Sequence, residues 1–297
     1  MDNILYVDNL CKKYKNFKLN NVSLKLPKGF IMGLIGENGA GKTTLLRMLG
    51  GILTPTSGNI KIAGSDYLID KNIVKKEIGY LSGNTKLYNR ISPRELLTIF
   101  GNLYEMSKEN IEKSIEEISE IMNMGEFIDN RIENLSTGQT QRTSIARCLI
   151  HSPQIYIFDE PTSGLDPLME QVFQEEVEKI KAAGKSILLS SHILSEVERL
   201  ADKIVIIRQG EIVEAGNLNE LRHLTRSTIT LVTEGDVAEL ATVTGVHDLV
   251  EKDNQATFSA DNEHLNDILL KATQLGVKKF EAVPPTLADL FMRHYES

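Results

Sequence analysis

A glycine-rich loop between an apolar segment and a helical segment constrains the fold of this chain more than any other sequence feature. The segment FIMGLIG (30–36) is continuously apolar and predicts a buried strand, and KTTLLRMLGG (42–51) predicts the helix that follows. The loop that joins them, GENGAGKT (36–43), matches the pattern G-x-x-x-x-G-K-[ST], in which backbone N–H groups converge on phosphate. The pattern assigns the ammonium of Lys42 to the β- and γ-phosphates of a nucleotide and the hydroxyl of Thr43 to Mg²⁺. The predicted nucleotide-binding residues of this loop are Gly36, Glu37, Asn38, Gly39, Ala40, Gly41, Lys42, Thr43 and Thr44.

Two further apolar segments end in side chains that suit phosphate chemistry. QIYIFDE (154–160) ends in Asp159 and Glu160, and SILLSS (186–191) is followed by His192. Because ligands bind at the carboxyl ends of the strands in open α/β sheets, we expect these side chains at the edge where the phosphate loop lies. We assign Asp159 to the Mg²⁺ side, through water, Glu160 to the general base for an attacking water, and His192 to the γ-phosphate.

Composition narrows the class of protein. The chain has 297 residues with 41 acidic and 33 basic side chains, and its net charge of −8 argues against a nucleic-acid-binding surface. Its two cysteines, Cys11 and Cys148, are too few for a disulfide framework or a zinc site. The N-terminal segment lacks the anatomy of a signal peptide, and no apolar run reaches about 18 residues. We therefore expect a soluble protein of a reducing compartment, for which another chain would supply any membrane-spanning part.

The order of the predicted elements indicates an α/β fold. Strand-like alternation over 3–7 and 17–27 predicts an antiparallel layer, and the apolar strands predict a mainly parallel core sheet with flanking helices. Helical periodicity over about 93–153 predicts a helical subdomain. Beyond residue 222 the chain is predicted to run strand, helix, two strands, helix, strand, helix, which is typical of a small separate α/β module. We therefore predict a nucleotide-binding domain over 1–222 and an accessory module over 223–297.

The segment ENLSTGQTQR (133–142) predicts a second anion-binding site. Ser136 and Gly138 precede an amphipathic helix expected over about 139–150. A hydroxyl and free backbone N–H groups at a helix N-terminus favour the binding of an anion. A second site of this kind, far along the chain from the phosphate loop, requires an explanation.

These motifs, in this order over about residues 4–222, resemble the nucleotide-binding subunit of ATP-binding cassette (ABC) transporters. LSTGQ (135–139) is similar to the signature sequence of that family, and SGLD (163–166) is similar to its D-loop. The resemblance implies that two cassettes meet head to tail, so that the signature helix of one closes on the ATP held by the other's phosphate loop. It also implies contacts to the partner's ATP from Ser136, Gly138 and Gln139, coupling of the two sites by Asp166, and stacking of adenine on Tyr14.

One segment departs from the family pattern. The family usually has a glutamine after the strand that corresponds to IGYL (78–81), whereas this chain has Gly83 there, followed by Asn84. Either Asn84 replaces the glutamine, or hydrolysis depends more on closure by the partner. If the missing side chain limits hydrolysis, Gly83→Gln is expected to raise turnover. The next segment, 88–95, corresponds to the region where the family docks the coupling helix of its membrane subunit, with an ordinary surface loop as the alternative.

The C-terminal sequence indicates a branch of the family. PPTLADLFMRHY (284–295) resembles the end of many bacterial exporter cassettes whose permease is a separate chain. The signature spelling and the loop SGNTKLYNR (82–90) resemble the branch that includes drug, bacteriocin-resistance and sodium-extrusion ATPases. The resemblance implies an ATPase that uses ATP and Mg²⁺ at the cytoplasmic face of the cell membrane. Its expected partners are an integral membrane permease and a second, identical cassette; no nucleic acid partner is expected, and the accessory module would stabilise or regulate the pair.

Two other classes would share the same ATP motifs. A soluble ABC ATPase that acts on a ribosome or on nucleic acid typically carries two cassettes with a charged linker, or coiled coils or zinc hooks, and this sequence has neither. The cassette of a polysaccharide exporter usually carries a β-sandwich tail, whereas 223–297 alternates strands and helices. Export powered by ATP is therefore the main prediction, and a soluble ATPase acting on a cytosolic machine is the alternative.

Overall fold

The computed structural model describes residues 2–67, 69–83, 86–223, 226–252, 254–284 and 286–293. The chain divides into two units, Met1–Ala215 and Gly216–Ser297. Asn84, one of the two residues considered for the missing glutamine, lies outside the described residues. Within these described ranges, none of the helices combines the length and the apolar character that a membrane crossing requires.

Strands and helices alternate through the first unit. Its strands are, in chain order, β1 (Asn3–Lys13), β2 (Lys18–Pro27), β3 (Ile31–Ile35), β4 (Ser57–Ile62), β5 (Ser65–Asp66), β6 (Ile78–Leu81), β7 (Ile155–Asp159), β8 (Ser186–Ser190), β9 (Lys203–Arg208) and β10 (Glu211–Asn217), the last of which ends just beyond the unit boundary. Its helices are α1 (Lys42–Leu49), α2 (Lys71–Lys76), α3 (Pro93–Leu103), α4 (Lys108–Ile121), α5 (Thr137–Leu149), α6 (Pro167–Ala182) and α7 (Leu194–Leu200), with a 3-10 turn at Ile132–Asn134.

The core sheet has the strand order β10-β9-β3-β8-β7-β6, and the four pairs from β9 to β6 are parallel. Every residue of β3, β7 and β8 is buried, as expected for parallel strands that are covered on both faces. A second, antiparallel sheet has the order β2-β1-β4-β5. Helix α1 contributes Leu45 and Leu46 to the apolar core that also contains side chains of both sheets. The mainly parallel sheet, the antiparallel layer and the helical subdomain of the predicted fold class are all present.

The helical subdomain is formed by α3, α4 and α5. Ser92 caps α3 through a reciprocal capping box with Glu95, and Pro93 occupies its first turn, where a missing N–H costs nothing. In α4 the buried side chains are Ile111, Ile115 and Ile118, which recur at the helical period. These local signals explain why the sequence between β6 and β7 forms helices.

The second unit contains α8 (Leu218–His223), β11 (Ser227–Thr233), a 3-10 helix (Val237–Thr242), β12 (Val246–Lys252), β13 (Gln255–Ala260), a 3-10 turn (Asn262–His264), α9 (Leu265–Gln274), β14 (Val277–Val283) and α10 (Leu287–Arg293). The strands form an antiparallel sheet in the order β12-β13-β11-β14, the arrangement of a split β-α-β-β-α-β fold. Ile229, Phe258 and Ile268 are buried in its core. The helix that the sequence predicts after β11 is a 3-10 helix, Val237–Thr242.

Candidate active site

The phosphate loop lies between β3 and α1, and its glycines have steric reasons to be glycine. Gly39 and Gly41 have φ angles of +85° and +115°, in the left-handed region that other residues rarely adopt. A Cβ on Gly36 would lie 2.4 Å from the carbonyl oxygen of Ile207. Gly41 caps α1 without a side chain, so the N–H groups of the first turn remain available to an anion.

Lys42 is folded back over this loop. Its Nζ donates to the carbonyl oxygens of Gly36 (2.6 Å) and Glu37 (3.1 Å), and the residue is 5% exposed. Burial lowers the pKa of Lys42, and the carboxylates of Glu160 and Asp159 oppose that fall. The ammonium therefore lies in the field of both acids, at the place where the loop would hold a phosphate.

Asp159 ends β7 with its side chain in the core of the site. It is 3% exposed, and its Oδ1 accepts hydrogen bonds from Ser190 Oγ (2.8 Å) and Thr43 Oγ1 (3.3 Å). A hydroxyl and a carboxylate side by side fit Mg²⁺, which takes one or two protein oxygens and completes its octahedron with phosphate and water. Among the described residues, no group of three or more His, Cys, Asp or Glu side chains could hold a metal ion by itself.

Glu160 turns out of the sheet immediately after β7. Its backbone has φ +50°, and its N–H donates to the carbonyl oxygen (3.1 Å) and to Oγ (3.2 Å) of Ser190. Its Oε2 lies 3.8 Å from His192 Nδ1, which is too long for a hydrogen bond. The structure thus brings together the residues that follow β7 and β8, as the parallel topology requires.

Ser190 is a site residue that sequence reasoning missed. It ends β8 directly beside Asp159 in the strand register. Its hydroxyl donates to the Asp159 carboxylate and accepts from the Glu160 backbone, so it orients both acids. The available signal was a polar residue at the end of an otherwise apolar strand, but its partner depended on which strands are neighbours.

The signature segment begins α5. Ser136 is the N-cap: its Oγ accepts from Gln139 N–H (3.2 Å), while Gln139 Oε1 accepts from Ser136 N–H (2.9 Å). This reciprocal capping box starts the helix at Thr137, two residues before the predicted start. The Gln139 side chain is therefore engaged within its own helix, and the hydrogen of the exposed Ser136 hydroxyl remains free to point outward.

The D-loop packs against the signature segment of the same chain. A Cβ on Gly138 would lie 3.4 Å from the carbonyl oxygen of Gly164, and Gln141 Nε2 donates to the carbonyl oxygen of Pro161 at 2.5 Å. Asp166 caps α6 by accepting from Met169 N–H at 3.0 Å. The segment that follows Glu160 is thereby connected to the start of α5.

Tyr14 lies in the turn after β1. Its ring is 43% exposed and 6.4 Å from the ring of Phe17, with Lys12 Nζ 5.8 Å from its centroid. Phe17, which sequence reasoning also missed, reaches the phosphate loop, since its ring would lie 3.0 Å from a Cβ on Gly41. Tyr14 is thus an exposed aromatic side chain whose neighbour Phe17 lies against the phosphate loop.

An apolar groove lies on the helical subdomain. Its volume is about 410 Å³, and Tyr88 on its rim is 70% exposed. Its lining residues are Tyr88, Asn89, Arg90, Ile91, Ile99, Phe100 and Leu103. It includes the start of the segment 88–95, for which the resemblance implies a docking region and an ordinary surface loop is the alternative.

Comparisons with known proteins give counterparts for both units. A family model described as "ABC transporter" matches residues 19–163, and one described as "ATP-binding protein DrrA1-3-like, C-terminal domain" matches residues 216–295. The ABC transporter ATP-binding protein NatA of Bacillus subtilis (strain 168) is 41% identical over 210 residues, covering 70% of this chain and 85% of that protein. The Nod factor export ATP-binding protein I of Rhizobium meliloti (strain 1021) is 33% identical, covering 93% of this chain and 82% of that protein. A solved dimeric ATP-binding cassette in a post-hydrolysis state, bound to ADP and Pi, is 26% identical with a TM-score of 0.66, covering 72% of this chain and 98% of that chain.

Proposed function

The chain belongs to the ABC transporter ATP-binding proteins, and on that premise we propose that it powers export by a separate membrane permease. The family and the fold class expected from the sequence are confirmed, and ATP hydrolysis is the characteristic activity of this family. The observation that carries the ATPase part of the proposal is that Asp159 ends β7 within hydrogen-bond distance of Thr43 of the phosphate loop, with Lys42 in the field of Asp159 and Glu160.

The phosphate loop binds the nucleotide. An incoming triphosphate offers Lys42 a charged partner in place of the two loop carbonyls that it now contacts. Thr43 and Asp159 would hold Mg²⁺, the latter through water. The chemistry that Mg²⁺ supplies when bound is neutralisation of the charge on the β- and γ-phosphates. Tyr14 offers its exposed ring to the adenine.

Glu160 acts as the general base for the attacking water. Its backbone hydrogen bonds to Ser190 fix its position, while its side chain remains free to reach a water in line with the γ-phosphate. His192, whose Nδ1 lies 3.8 Å from Glu160 Oε2, would donate to the γ-phosphate. Catalysis then consists of positioning the water for in-line attack on the γ-phosphate and of stabilising the charge that develops in the transition state.

A second, identical cassette completes each ATP site. The exposed Ser136 hydroxyl and the N–H groups of the first turn of α5 would contact the γ-phosphate held by the partner. Asp166 lies in the segment that joins Glu160 to α6, where it would couple the two sites. The dimeric post-hydrolysis cassette with ADP and Pi supports this arrangement.

The apolar groove of the helical subdomain is the proposed docking site for the permease, which would hold the chain at the cytoplasmic face of the membrane. Its exposed apolar side chains, Tyr88 and Leu103, are unusual for a solvent-facing surface and suit a helix of a membrane partner. The 1–222 domain would carry this docking and the ATP chemistry, and the 223–297 module would stabilise or regulate the pair.

Affinity purification of the tagged chain from detergent-solubilised native membranes tests the proposal. We expect a stoichiometric multi-helix membrane protein to be recovered with the wild-type chain. Leu103→Glu in the groove is expected to lose it, while Ile69→Glu, at an apolar residue outside the groove that is also exposed (78% against 66% for Leu103), retains it. Recovery of ribosomes or nucleic acid from the soluble fraction, without a membrane protein, would favour the cytosolic ATPase instead.

A further inference from the structure

A buried glutamate that the proposed mechanism does not use contacts two turns of the site. We call them the Glu160 turn (160–163) and the His192 turn (191–193). Glu196, in the first turn of α7, is 5% exposed. Burial raises the pKa of its carboxyl, against the effect of hydrogen bonds from Ser191 and Thr162. Its Oε1 is buried and has no hydrogen-bond partner among the described residues. A buried carboxyl with an unsatisfied oxygen lowers the stability of the fold, so its presence calls for a compensating role.

The other oxygen of Glu196, Oε2, accepts hydrogen bonds from two different segments. Ser191 Oγ donates to it at 2.6 Å, and Thr162 Oγ1 donates at 3.4 Å. The Ser191 hydroxyl also accepts from Ile193 N–H at 3.0 Å. Through the Ser191 hydroxyl, the Glu196 carboxyl is therefore linked to both neighbours of His192, Ser191 and Ile193.

Thr162 belongs to the turn that follows the general base. Ser163 N–H closes this turn by donating to the carbonyl oxygen of Glu160 at 3.3 Å. One carboxyl oxygen of Glu196 thus accepts hydrogen bonds from both the Glu160 turn and the His192 turn. The distance between Glu160 Oε2 and His192 Nδ1 is 3.8 Å.

We propose that Glu196 is a positioning residue for hydrolysis: it holds the Glu160 turn and the His192 turn in a fixed position relative to each other, with Glu160 and His192 directed toward the γ-phosphate. The inference rests on the roles proposed above for Glu160 and His192. Removal of the carboxyl frees both turns, and a displacement of about 1 Å at reacting groups can lower a rate on the order of 100-fold. None of these hydrogen bonds involves the phosphate loop, so we expect the affinity for ATP to be unchanged when Glu196 is replaced.

The test compares Glu196→Ala and Glu196→Gln with Glu178→Ala, a matched control at an exposed glutamate of α6. We expect Glu196→Ala to lower kcat by about tenfold or more with KM for ATP within about twofold. Glu196→Gln retains most of kcat, because its amide oxygen accepts the same two hydroxyl hydrogen bonds. Glu178→Ala retains wild-type values. An unchanged kcat per folded molecule in Glu196→Ala, with only a lower unfolding temperature, would overturn the inference.

A double mutant with His192→Ala tests whether Glu196 acts through the His192 turn. We expect Glu196→Ala to lower the residual turnover of His192→Ala by a smaller factor than it lowers wild-type turnover, because only its effect through the Glu160 turn remains. Equal factors in the two backgrounds contradict the inference and leave the role of His192 intact. An unchanged kcat in His192→Ala alone removes the proposed role of His192 and, with it, the basis of the inference.

If Glu196→Ala does not fold, Ser191→Ala and Thr162→Val each remove one donor and are expected to lower kcat severalfold; no change in either counts against the inference.

Discussion

At Gly83 the missing side chain is a packing requirement as well as a departure from the family pattern. A Cβ there would lie 3.0 Å from the carbonyl oxygen of Asp159 and 3.7 Å from Cβ of Glu160. A side chain at this position therefore presses on the end of β7, which carries both acids. The gain in turnover expected from Gly83→Gln is therefore opposed, because the new side chain would displace Asp159 and Glu160, the two acids that it is meant to assist.

Gly83→Ala measures that displacement without adding an amide. We expect ATP turnover to fall severalfold, because the end of β7 must shift by a few tenths of an ångström to admit the methyl group. Gly125→Ala is the control, since nothing lies within 4 Å of its Cβ position. Phosphate release at saturating ATP provides the measurement, and equal turnover in the two variants would show that the contact is without consequence. The ratio of turnover in Gly83→Gln to that in Gly83→Ala then gives the effect of the glutamine side chain beyond Cβ.

At the scale of elements, the N-terminus of α5 combines a structural cap with the proposed contact in trans. The Ser136 oxygen accepts from Gln139 N–H, which uses a lone pair and leaves the hydroxyl hydrogen for a phosphate. The two roles are separable, because aspartate is as good an N-cap as serine but carries a negative charge.

Ser136→Asp is expected to keep the unfolding free energy within about 0.5 kcal/mol of wild type while it abolishes ATP-dependent pairing. The reason is that its carboxylate would face the partner's γ-phosphate. Ser107→Asp makes the same exchange at the N-cap of α4, outside the signature segment, and is expected to leave both properties unchanged. Urea unfolding and light scattering with ATP provide the two readouts. Normal pairing of Ser136→Asp would contradict the contact in trans.

A stacked pair of rings joins the end of α5 to the residue after α3. The rings of His151 and Tyr104 are 3.6 Å apart and nearly parallel, and His151 Nε2 donates to the carbonyl oxygen of Ile78 at 3.2 Å. Burial lowers the pKa of His151 to about 4, with a smaller opposing effect from that hydrogen bond. The neutral imidazole is thus the form that the native packing of the helical subdomain requires.

Acidification is therefore expected to weaken the fold through His151. Its pKa is lower in the folded chain than in the unfolded chain, so the unfolded state binds more protons below about pH 6.5 and stability falls as the pH falls toward 4. Between pH 7.5 and 5, wild type is expected to lose about 2 kcal/mol more unfolding free energy than His151→Phe, which keeps a ring on Tyr104 but does not titrate. Urea titrations at the two pH values test this. The same pH dependence in both proteins would exclude His151 as the cause.

At the scale of the whole molecule, the proposed function requires two chains, because the signature helix of each chain would complete the ATP site at the phosphate loop of the other. In that arrangement the nucleotide would supply charge at the interface, so pairing is expected to depend on the intact γ-phosphate. A variant that binds ATP without cleaving it is expected to hold the pair together.

Glu160→Gln is that variant. Turnover is expected to fall by about 100-fold or more through loss of the general base, while ATP binding persists. With ATP and Mg²⁺, light scattering is expected to give roughly twice the 33.2 kDa mass of the chain, and without nucleotide the single-chain mass. Lys42→Ala, which lacks the phosphate-loop ammonium, is expected to remain unpaired at the same ATP concentration. Wild-type turnover in Glu160→Gln would remove Glu160 from the role of base.

Much of the fold and of the candidate site follows from sequence because the relevant signals are local. The phosphate loop needs glycines at fixed positions, the apolar runs of β3 and β7 indicate strands buried on both faces, and Asp159 and Glu160 come directly after one of them. The start of α5 was predicted two residues late, because the capping box at Ser136 depends on a side-chain hydrogen bond that periodicity does not report.

What the sequence determined by itself is the class of chain: an α/β cassette with a phosphate loop, two acids at a strand end, a signature helix and a small second module. Only the tertiary structure decided which distant residues meet. Ser190 reaches Asp159 because β8 is the neighbour of β7, Phe17 reaches Gly41, and Gly83 lies against the end of β7. Glu196 joins two turns that are 30 residues apart in sequence, from Thr162 to His192. The physical reason is that steric, capping and burial preferences act within a few residues, whereas these contacts arise only when strands far apart in the chain pair in one sheet.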